Sequence, residues 1–214
     1  MAKPSSKTLR NVALAATTVA CAGLSLPAAA AAGLNYDTLD IEYAGSNFDD
    51  GDVEFDVKTG QLNVSAQLLD HFFVAGGIRY GELDVKNLPD DAGNGLKVRE
   101  LTLGVGGFVH LLDGAQSSFA VDLAGRVFAL RSDLEDSTDE GWGAAIGPRA
   151  KIGDRWEVQG TATYFDVGDD GVWEFGVRSN YELTHLVAVQ AGVSTDENGD
   201  SVTYTLGARL NIGD

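Results

Sequence analysis

From Tyr36 to the C-terminus, apolar and polar residues alternate with a period of two. "YDTLDIEYAG" sets Leu39, Ile41 and Tyr43 against Asp40 and Glu42, and "GQLNVSAQLL" sets Leu62, Val64, Ala66 and Leu68 against Gln61, Asn63, Ser65 and Gln67. The rhythm returns in "FFVAGGIRYG", "VRELTLGVGGFVHL", "SFAVDLAGRVFALR", "WGAAIGPRAKI", "WEVQGTATYFDV", "VWEFGVRSNYEL", "LVAVQAGVS" and "VTYTLGARLNIGD". No stretch sustains a 3.6-residue period, so these ten segments read as strands with two unlike faces. Connections after the even segments are tight: "LDH", "DGAQS", "GDR" and "THL". Those after the odd segments are mostly longer and acidic: "SNFDDGDVEFD", "ELDVKNLPDDAGNGLK", "SDLEDSTDE", "GDDG" and "TDENGD". The pattern predicts an all-β, up-and-down antiparallel barrel of ten strands, with eight as the alternative count.

Hairpin parity supports these segments, because residues opposite one another must share a face. A three-residue turn at "GDR" sets Ile152 opposite Trp156 and Lys151 opposite Glu157. Turns at "LDH" and "THL" set Leu68 opposite Phe72 and Leu183 opposite Val187. A two-residue turn at Gly153-Asp154 would set Lys151 against Trp156, mixing the faces.

Alternation does not say which face is inside. Two features place the apolar face in lipid. Aromatic residues gather on it toward strand ends (Tyr43, Phe72, Tyr80, Phe119, Trp142, Trp156, Tyr164, Trp173, Tyr181 and Tyr204), where interfacial girdles would lie. The polar face is also balanced, with six acids (Asp40, Glu42, Glu100, Asp122, Glu157, Glu174) against six bases (Arg79, Arg126, Arg149, Lys151, Arg178, Arg209). A solvated face has no reason to be neutral in a chain of net charge −17. A closed interior does, since unpaired buried charges cost several kcal/mol. Asp122 and Arg126 lie roughly 13 Å apart along one strand, so their partners are expected on neighbouring strands. The rest of this face is mostly Gly, Ala, Ser, Thr, Asn and Gln, with Phe108, Phe128 and Phe165. The lumen is expected to be a polar, cross-linked plug, with Arg209 latching the barrel seam to Asp40 or Glu42.

The N-terminus has a separate role. "MAKPSSKTLR" carries Lys3, Lys7 and Arg10 and no acid; the apolar run Val12 to Leu26 follows, then "PAAAAAG". This is the layout of a secretory signal peptide, residues 1–32, cleaved near Ala30 or Ala32. Cys21 lies inside it, and Thr18 stands where a lipoprotein signal would have Leu. Losing three bases takes the net charge from −17 to −20. Residues 33–214 form one domain without cysteine, and no basic stripe exists to bind nucleic acid.

The chain resembles the small outer-membrane β-barrel proteins of Gram-negative bacteria, the OmpA-type and OmpX-type barrels and the opacity-like adhesins, over nearly all of residues 33–214. The resemblance is most specific in the last strand. There Thr205-Leu206-Gly207-Ala208-Arg209-Leu210-Asn211-Ile212 matches the family's assembly pattern of polar, any, Gly, two of any, then apolar, any, apolar. Family strands usually finish on Phe or Trp; this one has Ile212 followed by Gly213 and Asp214. The resemblance implies an outer-membrane location, contact with lipid and lipopolysaccharide, and recognition of the last strand by the barrel assembly machinery.

Enzymes of this class resemble acid–base catalysts with His, Asp and Ser near the outer rim. Here His71 and His185 lie in tight turns and His110 beside one, all on the periplasmic rim, so the reading is non-enzymatic and without cofactor. Asp49, Asp50, Asp52, Asp196, Glu197 and Asp200 are weak candidates for divalent cations, although "DENGD" lacks the spacing of an EF-hand loop; simple solvation of these loops is the alternative. "GVGG" at 104–107 is mid-strand, where glycines leave room for side chains opposite them. The expected function is envelope structure and surface interaction through acidic loops. The alternatives are a narrow pore for small solutes and a soluble periplasmic β-protein.

Overall fold

The computed structural model describes residues 37–50, 53–85, 95–112, 119–134, 137–167 and 170–212. The expected signal peptide lies outside them. The described residues form ten strands: β1 (Thr38–Asp50), β2 (Val53–Leu69), β3 (Phe72–Val85), β4 (Leu96–Leu112), β5 (Phe119–Leu134), β6 (Ser137–Ile152), β7 (Trp156–Val167), β8 (Asp170–Glu182), β9 (Val187–Asp196) and β10 (Ser201–Asn211). Each pairs antiparallel with its sequence neighbour, and β10 returns to β1, so the sheet closes as an up-and-down barrel. Closure leaves no unpaired sheet edge.

Two of the predicted turns keep the expected register. Ile152 faces Trp156 and Lys151 faces Glu157. Glu182 faces Ala188, and the Leu183 amide donates to the Val187 carbonyl at 2.9 Å. The "LDH" turn differs: Leu69, not Leu68, lies opposite Phe72 across Asp70-His71, and the register shifts between Gln67 and Leu69. The extra residue of this bulge restores the parity that a two-residue turn would break. "DGAQS" lies outside the described residues.

The acidic connections are the larger departure. Most of "SNFDDGDVEFD" and "SDLEDSTDE" is strand, since β1 runs to Asp50, β2 starts at Val53, β5 runs to Leu134 and β6 starts at Ser137. β2 and β4 each have 17 residues, well beyond the ~9–11 that cross a bilayer. The barrel therefore rises past the lipid, and its polarity inverts there. Within the bilayer Ile41, Ile78, Leu101, Leu103, Val127 and Leu206 point outward and are exposed. Above it the outward residues are Lys58, Glu82, Lys97 and Arg131, while Phe55, Val57, Leu83 and Val98 are buried inside as an apolar cluster. Phe48 stacks on Phe55 with centroids 4.5 Å apart. Water replaces lipid outside at that level, so the apolar face turns inward.

The aromatic girdles sit at both ends of the lipid belt. Trp142, Tyr164 and Trp173 form a chain at the outer end, with centroids 5.8 and 5.3 Å apart. Trp156 and Tyr181 pack at 5.0 Å at the other. With the apolar belt outside and the charges inside, the barrel is a transmembrane one.

Candidate functional site: the filled lumen

Within the lipid belt the inward strand residues come mainly from the polar face of the alternation, and the closed sheet points them at one another. Asp40 and Arg209 are opposite in the β1–β10 register. Arg209 grips Asp40 with two hydrogen bonds, Nε to Oδ1 at 2.8 Å and Nη2 to Oδ2 at 3.1 Å. Such two-point guanidinium–carboxylate contacts are the strong, oriented kind. Gln190 Nε2 donates to the same Asp40 Oδ1 at 2.9 Å.

From this clasp the network spreads across the lumen. Arg209 Nη1 reaches Glu157 Oε1 at 3.5 Å, and Glu157 also pairs with Arg149 and accepts from Asn180 Nδ2 at 2.6 Å. Arg178 holds Glu42 at 2.5 and 3.3 Å. Arg79 donates to Gln61 Oε1 at 2.8 Å and lies 3.8 Å from Glu100. Glu174 accepts a hydrogen bond from Ser194. Asp122 meets His110 Nδ1 at 2.7 Å, while the Arg126 guanidinium lies over the Phe128 ring at 4.9 Å, a cation–π contact. Lys151 is nearer the barrel end that carries Trp156 and Tyr181, with Glu182 at 3.2 Å. Apart from Lys151, each of the twelve charged residues expected inside is buried, at most 7 % exposed.

Sequence reasoning did not single out several partners: His110 as the companion of Asp122, Glu182 of Lys151, and the amides Gln61, Asn180 and Gln190. Parity already placed the amides on the inward face; strand register shows which charge Gln61 and Asn180 meet, and barrel closure brings Gln190 to Asp40. The apolar content of the lumen was also underread. Phe73, Phe108, Phe128, Leu130, Phe165 and Val167 form a second buried cluster on β3–β7, strands that also carry Arg79, Glu100, Asp122, Arg126, Arg149, Lys151 and Glu157. Glycines make room for it. A Cβ at Gly106 would strike the Phe73 ring, and one at Gly143 the Phe128 ring.

The cation candidates fall apart as a group. Asp196 is not a loop residue: it is buried at the end of β9 and accepts the Ser201 amide at 3.2 Å. Asp49 and Asp50 fall in β1, opposite Glu54 and Val53, and Asp52 lies outside the described residues. Glu197 and Asp200 are exposed in the β9–β10 connection. Among the described residues, no group of three or more His, Cys, Asp or Glu could hold a metal ion.

Beyond the outer girdle, Thr138 Oγ1 donates to Asp133 at 2.7 Å and Arg131 Nε to the same oxygen at 3.3 Å. The Thr138 hydroxyl, helped by the charges of Arg131 and Arg99, holds the Asp133 carboxyl below its ordinary value.

No protein-family model matches the chain, and no curated protein sequence does. Among solved structures, the COG4313 outer membrane channel from Pseudomonas putida F1 is similar at 15 % identity and TM-score 0.49, over 87 % of this chain and 96 % of that one. The KdgM porin in complex with disordered oligogalacturonate aligns at 9 % and 0.44, over 81 % and 99 %. Neisserial surface protein A aligns at 11 % and 0.39, over 82 % and 96 %.

Proposed function

We propose that this is a closed, non-catalytic outer-membrane barrel that serves envelope structure and surface interaction through its acidic outer rim. One observation carries the reading: inward side chains from Asp40 and Arg209 near the periplasmic mouth to Phe55 and Leu83 beyond the outer girdle are buried. An open channel would leave such a lining wet. Between Asp40, Asn63, Ser65 and Arg126 the remaining cavity is about 10 Å³, room for about one water. The plug combines a network of ion pairs with a cluster of phenylalanines.

The acidic residues of the rim, Glu197 and Asp200 included, face the outer medium, where divalent cations could bridge them to lipopolysaccharide phosphates. β10 is the strand that would engage the barrel assembly machinery. His71, His110 and His185 line the periplasmic rim, away from any substrate at the cell surface.

A narrow, gated path for small solutes is the second reading. It is favoured by the continuity of the charged network, from Lys151–Glu182 through Arg149–Glu157–Arg209–Asp40 to Arg178–Glu42. Conductance of the purified mature protein in a planar bilayer separates the two. The closed reading expects no steady openings, and sustained unitary currents would overturn it.

A further inference from the structure

The outer surface is not uniform around the barrel. Tyr43, Gly60 and Tyr80 are opposite one another across β1, β2 and β3. Gly60 thus leaves a gap between two girdle tyrosines, and a Cβ placed there would meet nothing within 4 Å. Below this gap Leu62, Ile78 and Leu101 form the apolar floor of an outward groove of about 570 Å³, walled by Tyr80, within the ~300–1,000 Å³ typical of ligand sites. At its far side lie Arg99 and Arg131. Arg99 is opposite Tyr80 in the β3–β4 register, so a guanidinium stands where the girdle would have an aromatic ring.

On strands above the lipid belt, the outward bases among the described residues are Lys58, Lys97, Arg99 and Arg131, all on β2–β5; Glu82 is opposite both Lys58 and Lys97, and Asp133 is opposite Arg99. Asp133 shares the groove's edge, but its carboxylate is already tied to Thr138 and Arg131. Arg131 also lies 3.7 Å from Glu140. Arg99 has no ion pair among the described residues.

We infer that this groove holds one molecule of lipopolysaccharide, an acyl chain along Leu62, Ile78 and Leu101 and a lipid phosphate on Arg99 and Arg131. An apolar floor at lipid depth with cations at its outer end matches a ligand with an apolar tail and an anionic head. In an acidic protein, Arg99 and Arg131 supply local attraction to the phosphate layer at the groove. The site rests on the outer-membrane placement and is independent of whether the lumen conducts.

The test uses the mature protein, delipidated, refolded and titrated with rough-type lipopolysaccharide by native mass spectrometry. Folding of each variant is checked by the mobility shift between heated and unheated gels. Wild type is expected to retain one lipid per barrel. A base at an anionic lipid surface contributes about fivefold in affinity, so R99Q/R131Q should bind about 25-fold more weakly. R155Q removes a base in the opposite, periplasmic turn and should bind as wild type does. Gly60→Leu, whose Cβ has open space around it and whose side chain would fill the gap between the tyrosines, should also lose retention. Dephosphorylated lipid should bind wild type as weakly as intact lipid binds R99Q/R131Q. Equal binding by wild type and R99Q/R131Q, equal loss in R155Q, retention in Gly60→Leu, or equal binding of phosphatidylglycerol would overturn the assignment.

Discussion

Arg209→Gln removes the guanidinium that clasps Asp40 across the β1–β10 seam. Asp40 is 1 % exposed and keeps the Gln190 amide at 2.9 Å, but loses two charge-assisted hydrogen bonds. Glu157 is affected less, because it retains Arg149 and Asn180. Breaking a buried pair from one side costs ~3–5 kcal/mol, because the charge left behind stays out of water. Neutralising both sides does not strand a charge, so D40N/R209Q should lie within ~2 kcal/mol of wild type. The double-mutant cycle is therefore expected to show a coupling of at least ~4 kcal/mol. Urea unfolding of the refolded barrel in lipid vesicles reads this directly. Trp142 and Trp156 are half-exposed on the lipid face and report transfer to water. With a slope of ~2 kcal/mol/M, the R209Q midpoint should fall by about 2 M. A loss below ~1 kcal/mol in R209Q, or strict additivity in the cycle, would show that the clasp is not a closed ion pair and would refute the reasoning.

Three further outcomes follow from the same geometry. Phe128→Ala removes a ring from the apolar cluster of the plug and should destabilise the barrel by ~3–5 kcal/mol; with Phe165→Ala it should also produce bilayer conductance where wild type has none. Gly143→Val drives a side chain into the Phe128 ring and should cost ~1–3 kcal/mol in urea titrations, an effect that Phe128→Ala should relieve in the double variant. Thr138→Val removes the strongest influence on Asp133. Carboxyl NMR should then show Asp133, which titrates below 3.8 in wild type, move up toward that value. A carboxyl with a lowered pKa contributes stability that is present above its unfolded value and lost as pH falls through the folded one. The outer β5–β6 hairpin should accordingly loosen only below about pH 3.8, and less so in Thr138→Val.

The lipid belt was legible because each residue there has only two choices, lipid or lumen, and a strict period of two records the choice. Where the strands leave the bilayer that code fails. "VEFDVKTG" alternates as regularly as any strand, yet its acids suggest a loop. Its apolar residues Phe55 and Val57 point inward, the reverse of the rule below. Asp196 misled in the same way: an acid next to a turn reads as solvated, and only the inward end of β9 buries it.

Sequence alone determined the all-β class, the inward face, and the charges that must neutralise one another there, because alternation and net charge are properties of the chain itself. Only the tertiary structure decided the pairing. His110 meets Asp122 through the register of the β4–β5 hairpin, and Arg178 meets Glu42 across 136 residues of sequence, a contact set by closure and shear of the whole sheet. The same holds for the surface groove: Gly60, Tyr80 and Arg99 are unremarked singly, and become a lipid-facing site only when register sets three strands side by side.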